Sequence, residues 1–430
     1  MRRHVAAVTL GNALEFYDFL TYGFFAIQIG HTFFPGSSAY LSLMASLATF
    51  GAGFAMRPIG AVMIGRYADR AGRKPAMLLS FVLIGASIFG MALIPSYAAI
   101  GLAAPVLAVL ARMTQGFSLG GEIGSNTSYL LEAAAPAMRG FIVSWQGASQ
   151  LAAIIAGSLI GAFLTAVMPP DMLDAYGWRI AFAIGGIAVP FGLWLRSNLP
   201  ETLHATQDAM IGDAAVSTGG DGLALARRHW RVMVLGLVVL GMTTVGNYIS
   251  LYAVTFAQDT LHLPAQAGFV SELGNSVAGF VAVLLAGWLS DRHGRWPVNA
   301  GCNFLYLVLI YPLFAWVVSV PSPLVLFASM TILGFVSNLT FGVFLAALGE
   351  SLPKSIRASG FGTVYSLAIA LFGGSTQFVV TWLIHVTGSA MAPAWYLTGA
   401  IAVAQVAYML FPESHPTRAR PTAVAAAMGA

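Results

Sequence analysis

Eleven short breaks, each polar or bearing proline, divide an otherwise apolar chain, and their spacing constrains the fold more than any other feature. They fall at residues 35–37, 69–75, 95–96, 134–139, 169–177, 199–229, 259–264, 291–297, 321–323, 353–357 and 388–393. The twelve runs between them lie near the ~20 mostly apolar residues that a membrane-crossing helix needs. The first run carries Glu15 and Asp18 and continues to about Phe34. That is too long for the ~7–15-residue core of a secretory signal, so the run is read as a span.

Composition supports this reading. Of the 430 residues, 58% are hydrophobic and 8% are charged. A soluble domain is typically about 25% charged, and a chain so poor in charge cannot cover a water-facing surface. The fold class expected is an all-α membrane protein of twelve transmembrane helices. The single cysteine, Cys302, excludes an intramolecular disulfide. A net charge of +4 does not point to nucleic acid, because the basic residues sit in short inter-helix loops and at the termini.

Those basic residues set the orientation. With the N-terminus in the cytoplasm, Arg66, Arg70, Arg73, Lys74, Arg139, Arg196, Arg227, Arg228, Arg231, Arg292, Arg295, Lys354 and Arg357 all fall inside. The opposite loops carry Asp171, Asp174 and Asp259 and almost no basic residue; Arg179 is the nearest exception. Both termini are thus expected in the cytoplasm. The expected organisation is a six-helix bundle over 1–197, a cytoplasmic linker over 198–229, a second six-helix bundle over 230–413 and a cytoplasmic tail over 414–430.

Two loops repeat. Residues 65–73 and residues 287–295 both read G-x-x-x-D-R-x-G-R, between spans two and three and between spans eight and nine. Glu132 precedes Pro136 and Arg139 much as Glu350 precedes Pro353 and Arg357. Repeats half a chain apart indicate two homologous halves. The glycines permit a tight turn and close helix approach. A carboxylate at Asp69 or Asp291 can meet a helix N-terminus or an arginine. Asp69, Arg70, Arg73, Glu132, Arg139, Asp291, Arg292, Arg295, Glu350 and Arg357 are therefore read as a cytoplasmic gate.

The doubled loop resembles the signature of the major facilitator superfamily. Residues 112–122, RMTQGFSLGGE, are similar to the fourth span of its metabolite–proton symporter branch. Residues 11–19, 132–141, 177–179 and 199–202 fit the same branch, and residues 144–150, SWQGASQ, look most like citrate–proton symporters. The resemblance implies two pseudo-symmetric six-helix bundles around a central cavity. It also implies alternating access, with the carboxylate at Asp18 pairing with the fourth-span arginine.

Ionisable residues inside spans are costly and usually face a cavity. Glu15 and Asp18 share one helical face with Tyr22, and a desolvated carboxylate can take up and release a proton near neutral pH. Arg112, Gln115, Glu122 and Asn126 follow one face of span four. Arginine presents a fixed fork of donors that suits a carboxylate, so Arg112 is expected to hold an anionic substrate, Asp18, or each in turn. Glu122 is a further proton or gating candidate. Arg57, just before Pro58, is assigned a structural or gating role. Gln146, Gln150, Asn247, Tyr248, Asn338, Gln377 and His385 complete the expected substrate lining. Glu272 of span eight is, with His385, a notable C-terminal candidate; it is close to the outer end of its span, and simple solvation is the alternative.

No Walker loop, zinc-ligand spacing or nucleophile triad is found. The expectation is a transporter and not an enzyme, with no metal and no cofactor other than the proton as coupling ion. The substrate expected is a small carboxylate, with a tricarboxylate such as citrate first. Dicarboxylates, monocarboxylates, zwitterionic metabolites, proton-driven export and a non-transporting sensor are the alternatives. The remaining expectations are a monomer, surrounded by lipid, in a bacterial inner membrane.

Overall fold

The structure, a computed structural model, describes residues 9, 12–13, 16–17, 20–71, 73–120, 122–197, 225 and 227–415. For residues 65–66, 68–71, 73–74, 76–77, 122–126, 188, 191–197, 355 and 358 it describes the backbone alone. Helices account for every span. Span one ends in Ala26–Phe33, and span two is Ala39–Ala55 followed by Arg57–Ala71. Span three is Arg73–Leu93, and span four is Ala103–Leu119 with Glu122–Ala133. Arg139–Val167 and Trp178–Ser197 form spans five and six. The second half consists of Trp230–Thr255, Ala265–His293, Arg295–Ser319, Pro323–Ser351, Lys354–Ala368 with Gly374–Thr387, and Ala392–Leu410, which are spans seven to twelve.

Local chemistry sets the boundaries. The Ser38 and Ser322 hydroxyls cap spans two and ten, each accepting a backbone N–H at 3.3 Å, from Leu41 and Val325. Span two is interrupted at Met56, just before Arg57 and Pro58; proline removes a donor and crowds the preceding turn. Gly294 turns the chain between spans eight and nine at φ 99°, a conformation that side chains disfavour. Single π-turns extend span seven at Phe256–Thr260 and join the two parts of span eleven at Ile369–Gly373. The expected break at 95–96 is wider than the sequence suggests, because Tyr97–Ile100 forms a short turn and span four begins only at Ala103.

Among the described residues, eight helices are long and apolar enough to cross a membrane. Span three adds a shorter apolar stretch, Leu78–Leu93, among the described residues. The outward faces are apolar: Leu93, Leu324 and Ile187 are 77%, 76% and 73% exposed. Surfaces of this kind are matched by hydrocarbon and not by water. The protein is a multi-pass membrane protein.

Small residues let the helices meet at the backbone, as association within lipid requires. A methyl group added to Gly116 would sit 1.6 Å from the Gly53 carbonyl oxygen, and one added to Gly60 would sit 1.8 Å from that of Phe117. Spans two and four therefore touch without intervening side chains. Gly116→Val should lower the thermal midpoint of the purified protein or abolish folded yield. Overpacking typically costs about 1–3 kcal/mol, and a backbone contact cannot relax as a side chain can. Fluorescence size-exclusion and a melting curve read the outcome; an unchanged midpoint would contradict this packing.

Candidate substrate cavity and ion-pair latch

A cavity of about 60 Å³ lies between the two halves. It is smaller than the ~300–1,000 Å³ of typical ligand pockets. Span five contributes Gln150, Leu151 and Ile154 to the wall, and span seven contributes Thr244, Asn247, Tyr248 and Ser250. Glu272 and Asn275 of span eight, Asn338 of span ten and Tyr365 of span eleven complete the polar part. Phe16 and Leu20 of span one, with Phe341, supply apolar surface. The Gln150 amide donates to the Tyr365 hydroxyl at 3.4 Å, across the junction.

Four residues expected from the sequence therefore meet at the cavity: Gln150, Asn247, Tyr248 and Asn338. Arg112 and Gln115 are buried, 1% and 3% exposed, and hydrogen-bonded to one another. The Arg112 guanidinium lies over the Tyr22 ring at 4.5 Å and the Phe50 ring at 5.2 Å. The faces of both rings attract the cation. Phe50 in turn packs against Tyr248 at 6.2 Å, so an aromatic pair joins Arg112 to the cavity wall. The Tyr22 hydroxyl donates to the Ser46 carbonyl at 3.2 Å. Arg57 is buried as well, over Phe54 at 4.8 Å, and does not reach for the membrane surface.

Other expectations need correction. His385 is not a cavity residue. It is exposed in the last turn of Gly374–Thr387 and stacks on Tyr40 at 3.8 Å. Gln146 exchanges hydrogen bonds with Asn12, at 3.1 and 3.4 Å, and so clamps span five to span one instead of facing the cavity. Gln377 is fully buried, and its side-chain amide has no hydrogen bond among the described residues. It does not reach the wall in this state. Glu272 is not solvated: it is 1% exposed and lines the cavity. Its seven-residue distance from the start of span eight suggested exposure, but Phe24 and Phe25 of span one pack on Phe269 and cover that end. Glu15 and Asp18 lie outside the described residues. Glu122 is described in backbone only, at the start of Glu122–Ala133.

The ends of spans that bear the basic loops carry the latch. The Asp291 carboxylate accepts the backbone N–H groups of Gly140 and Phe141 at 2.8 and 2.9 Å. It thereby caps the N-terminus of span five from the other half. Arg295, 1% exposed, bonds Asp291 at 2.8 Å and Glu350 through a two-pronged contact at 3.1 Å. Glu413 accepts the backbone N–H groups of Arg295 and Trp296 at 3.0 Å. Gly140 and Gly287 admit this approach, since a methyl group on either would collide with the other's helix within 2.7 Å. Glu132 pairs with Arg357 at 3.6 Å, again across the junction. Arg139 opens span five half-buried, and Arg292 lies over the Trp288 ring at 3.9 Å on the exposed side. The side chains of Asp69, Arg70 and Arg73 lie outside those described.

The opposite end is closed by neutral contacts. Gln28 meets Gln258 at 3.4 Å and Tyr40 stacks on His385. Both mouths are therefore narrowed at once.

The comparisons with known proteins agree with this architecture. The family model described as "Sugar (and other) transporter" matches residues 4–208. The citrate-proton symporter of Klebsiella pneumoniae is 38% identical over 92% of this chain and 88% of its own length. This chain belongs to the major facilitator superfamily. Its relatives also include the alpha-ketoglutarate permease of Escherichia coli, 33% identical over 92% of this chain and 91% of its own. The proline/betaine transporter of Salmonella typhimurium is 32% identical over 92% and 80%. A solved D-xylose-proton symporter shares the fold, with a TM-score of 0.76 at 19% identity over 97% and 99% of the two chains. As a member of this superfamily the chain is a transporter and not an enzyme, which matches the latch and cavity geometry.

The latch predicts a conformational shift. Asp291→Asn keeps the shape of the carboxylate but weakens its bonds to Arg295 and the span-five N-terminus. Breaking one partner of a buried charged cluster costs about 3–5 kcal/mol, enough to move a two-state equilibrium by more than a hundredfold. Spin labels at Met138 and Lys354 should report a longer distance in the variant; an unchanged distribution would show that the bonds do not hold the halves together.

Proposed function

We propose that this chain is a proton-coupled importer of a small organic carboxylate, with citrate the first candidate, in a bacterial inner membrane. The observation that carries the reading is Arg112. It is a buried cation lying over two aromatic rings, one of which packs against the cavity-wall Tyr248, in a chain 38% identical to a citrate-proton symporter. Both termini and the ion-pair latch are placed on the cytoplasmic side, following the basic loops. The two bundles are assigned to 1–197 and 230–413, joined by a linker over 198–229.

In this reading a proton neutralises Asp18, with Glu15 and Glu122 as further proton or gating positions. Arg112 is then free of that carboxylate and engages the substrate anion, assisted by Gln115 and Tyr22. Gln150, Asn247, Tyr248 and Asn338 orient the remainder of the substrate from the wall. The halves then rock about the bound molecule, and the charged latch opens on the cytoplasmic side. Gln377 joins the lining as the cavity widens. A second reading is a zwitterionic metabolite that also presents a carboxylate to Arg112, favoured by the likeness to a proline/betaine transporter.

A thermal-shift screen of mono-, di- and tricarboxylates alongside glycine betaine tests the substrate class, because a ligand bound only by the folded state raises the midpoint. Citrate added to de-energised cells should alkalinise the medium. Asp18→Asn should lose gradient-driven accumulation while keeping exchange; accumulation at the wild-type level would refute its role. Arg112→Lys loses the planar fork, and charged hydrogen bonds contribute roughly 1.5–3 kcal/mol each. Its citrate affinity should fall about 10–100-fold by isothermal titration, and an unaltered affinity would place the anion elsewhere.

A further inference from the structure

Glu272 is the one charged residue on the described cavity wall. Its two oxygens accept only neutral donors: Asn275 Nδ2 at 3.0 Å and Ser276 Oγ at 3.3 Å. No ion pair reaches it among the described residues. Arg139, Arg231, Arg295 and Glu350, on the spans packed against span eight, all lie at the far, basic ends. Arg295 is 23 residues on from Glu272, about 35 Å at helical rise. On the nearer parts of the packed elements the described titratable groups are Tyr248 and Tyr252 of span seven, Asp259 at its end, and Tyr306 of span nine. Tyr365 of span eleven shares the wall. Glu15 and Asp18 belong to span one, whose Phe16 and Leu20 line the same cavity. None of these described neighbours supplies a positive charge.

We propose that Glu272 is a second proton-binding site of the transport cycle, set in the C-terminal half opposite Arg112; this rests on the symport reading above. An isolated carboxylate with two neutral donors is poorly stabilised when the cavity is constricted and dry. With a proton bound it keeps both hydrogen-bonding neighbours and carries no charge. The substrate makes the requirement stronger. An anion entering this small cavity meets an ionised Glu272 at short range, and like charges repel steeply where the effective dielectric is low. Anion and proton therefore load together. When the cavity opens and wets, the carboxylate is resolvated and releases the proton to the same side as the substrate.

The test uses the full-length protein in proteoliposomes, with citrate as the probe and the proton-to-citrate ratio taken from reversal potentials. The wild type should move one more proton per citrate than Glu272→Gln. By thermal shift, citrate binding should weaken with rising pH less steeply in that variant. Equal ratios with equal pH profiles would overturn the proposal. A second measurement covers a Gln variant that fails to fold. Citrate binding to detergent-solubilised Asp18→Asn should still draw a proton from weakly buffered solution, and its absence would also overturn the assignment. Citrate transport by the wild type without any proton movement would overturn the symport reading itself, a result read before any variant is made. Should glycine betaine bind and Glu272→Gln remove that binding, the carboxylate would belong to a quaternary ammonium group, and the proton role would be lost.

Discussion

Asp291 ties the halves of this molecule together. One carboxylate accepts two backbone N–H groups from span five and one guanidinium N–H from Arg295. The cluster around it holds three acidic residues: Asp291 and Glu350 share the Arg295 guanidinium, and Glu413 accepts the Arg295 backbone N–H. One guanidinium does not balance three carboxylates. The helix N-termini supply part of the remainder: Asp291 caps span five and Glu413 caps span nine, and each terminus presents roughly half a positive charge. The cluster is therefore stable only while span five stays docked. Removing that terminus leaves Asp291 with one partner in place of three, so junction and charge balance are the same structural fact.

The two mouths of the cavity are held by different physics. The basic end has a charged, hydrogen-bonded cluster with shared partners. The other end has an amide pair, a Tyr40–His385 stack and aromatic rings around Phe269. Contacts of the second kind are individually weak and separable. Rocking one bundle against the other can break them in small steps, whereas the charged cluster must open as a unit. An asymmetry of this kind lets one mouth open gradually and the other abruptly, and the constricted cavity between them belongs to a state in which neither has opened.

The latch was legible in the sequence because its chemistry is local. In G-x-x-x-D-R-x-G-R, Gly287 makes the close contact with span five, Asp291 meets the helix N-terminus, Gly294 adopts the positive-φ turn and Arg295 forks across the acidic residues. Each role follows from residue type and spacing. The cavity was only partly legible, because helical periodicity gives the face of a residue and not what covers it. Gln146 and Gln150 share a face of span five, yet one binds Asn12 and the other meets the cavity. Glu272 lies near a span end, but Phe269 with its span-one rings covers that end, whereas His385 lies exposed in the last turn of its helix, stacked on Tyr40.

The placement of charge around the cavity limits what can pass through it. Arg112 is buried in the first half, behind Tyr22 and Phe50, and Glu272 is buried in the second half, on the wall. A small cavity tolerates little net charge, so an occupant, the bound protons and the charged residues around it must sum near neutral. An anion with several carboxylates cannot meet that condition against an ionised Glu272 without bringing protons with it. A zwitterion can, because its two ends compensate both residues.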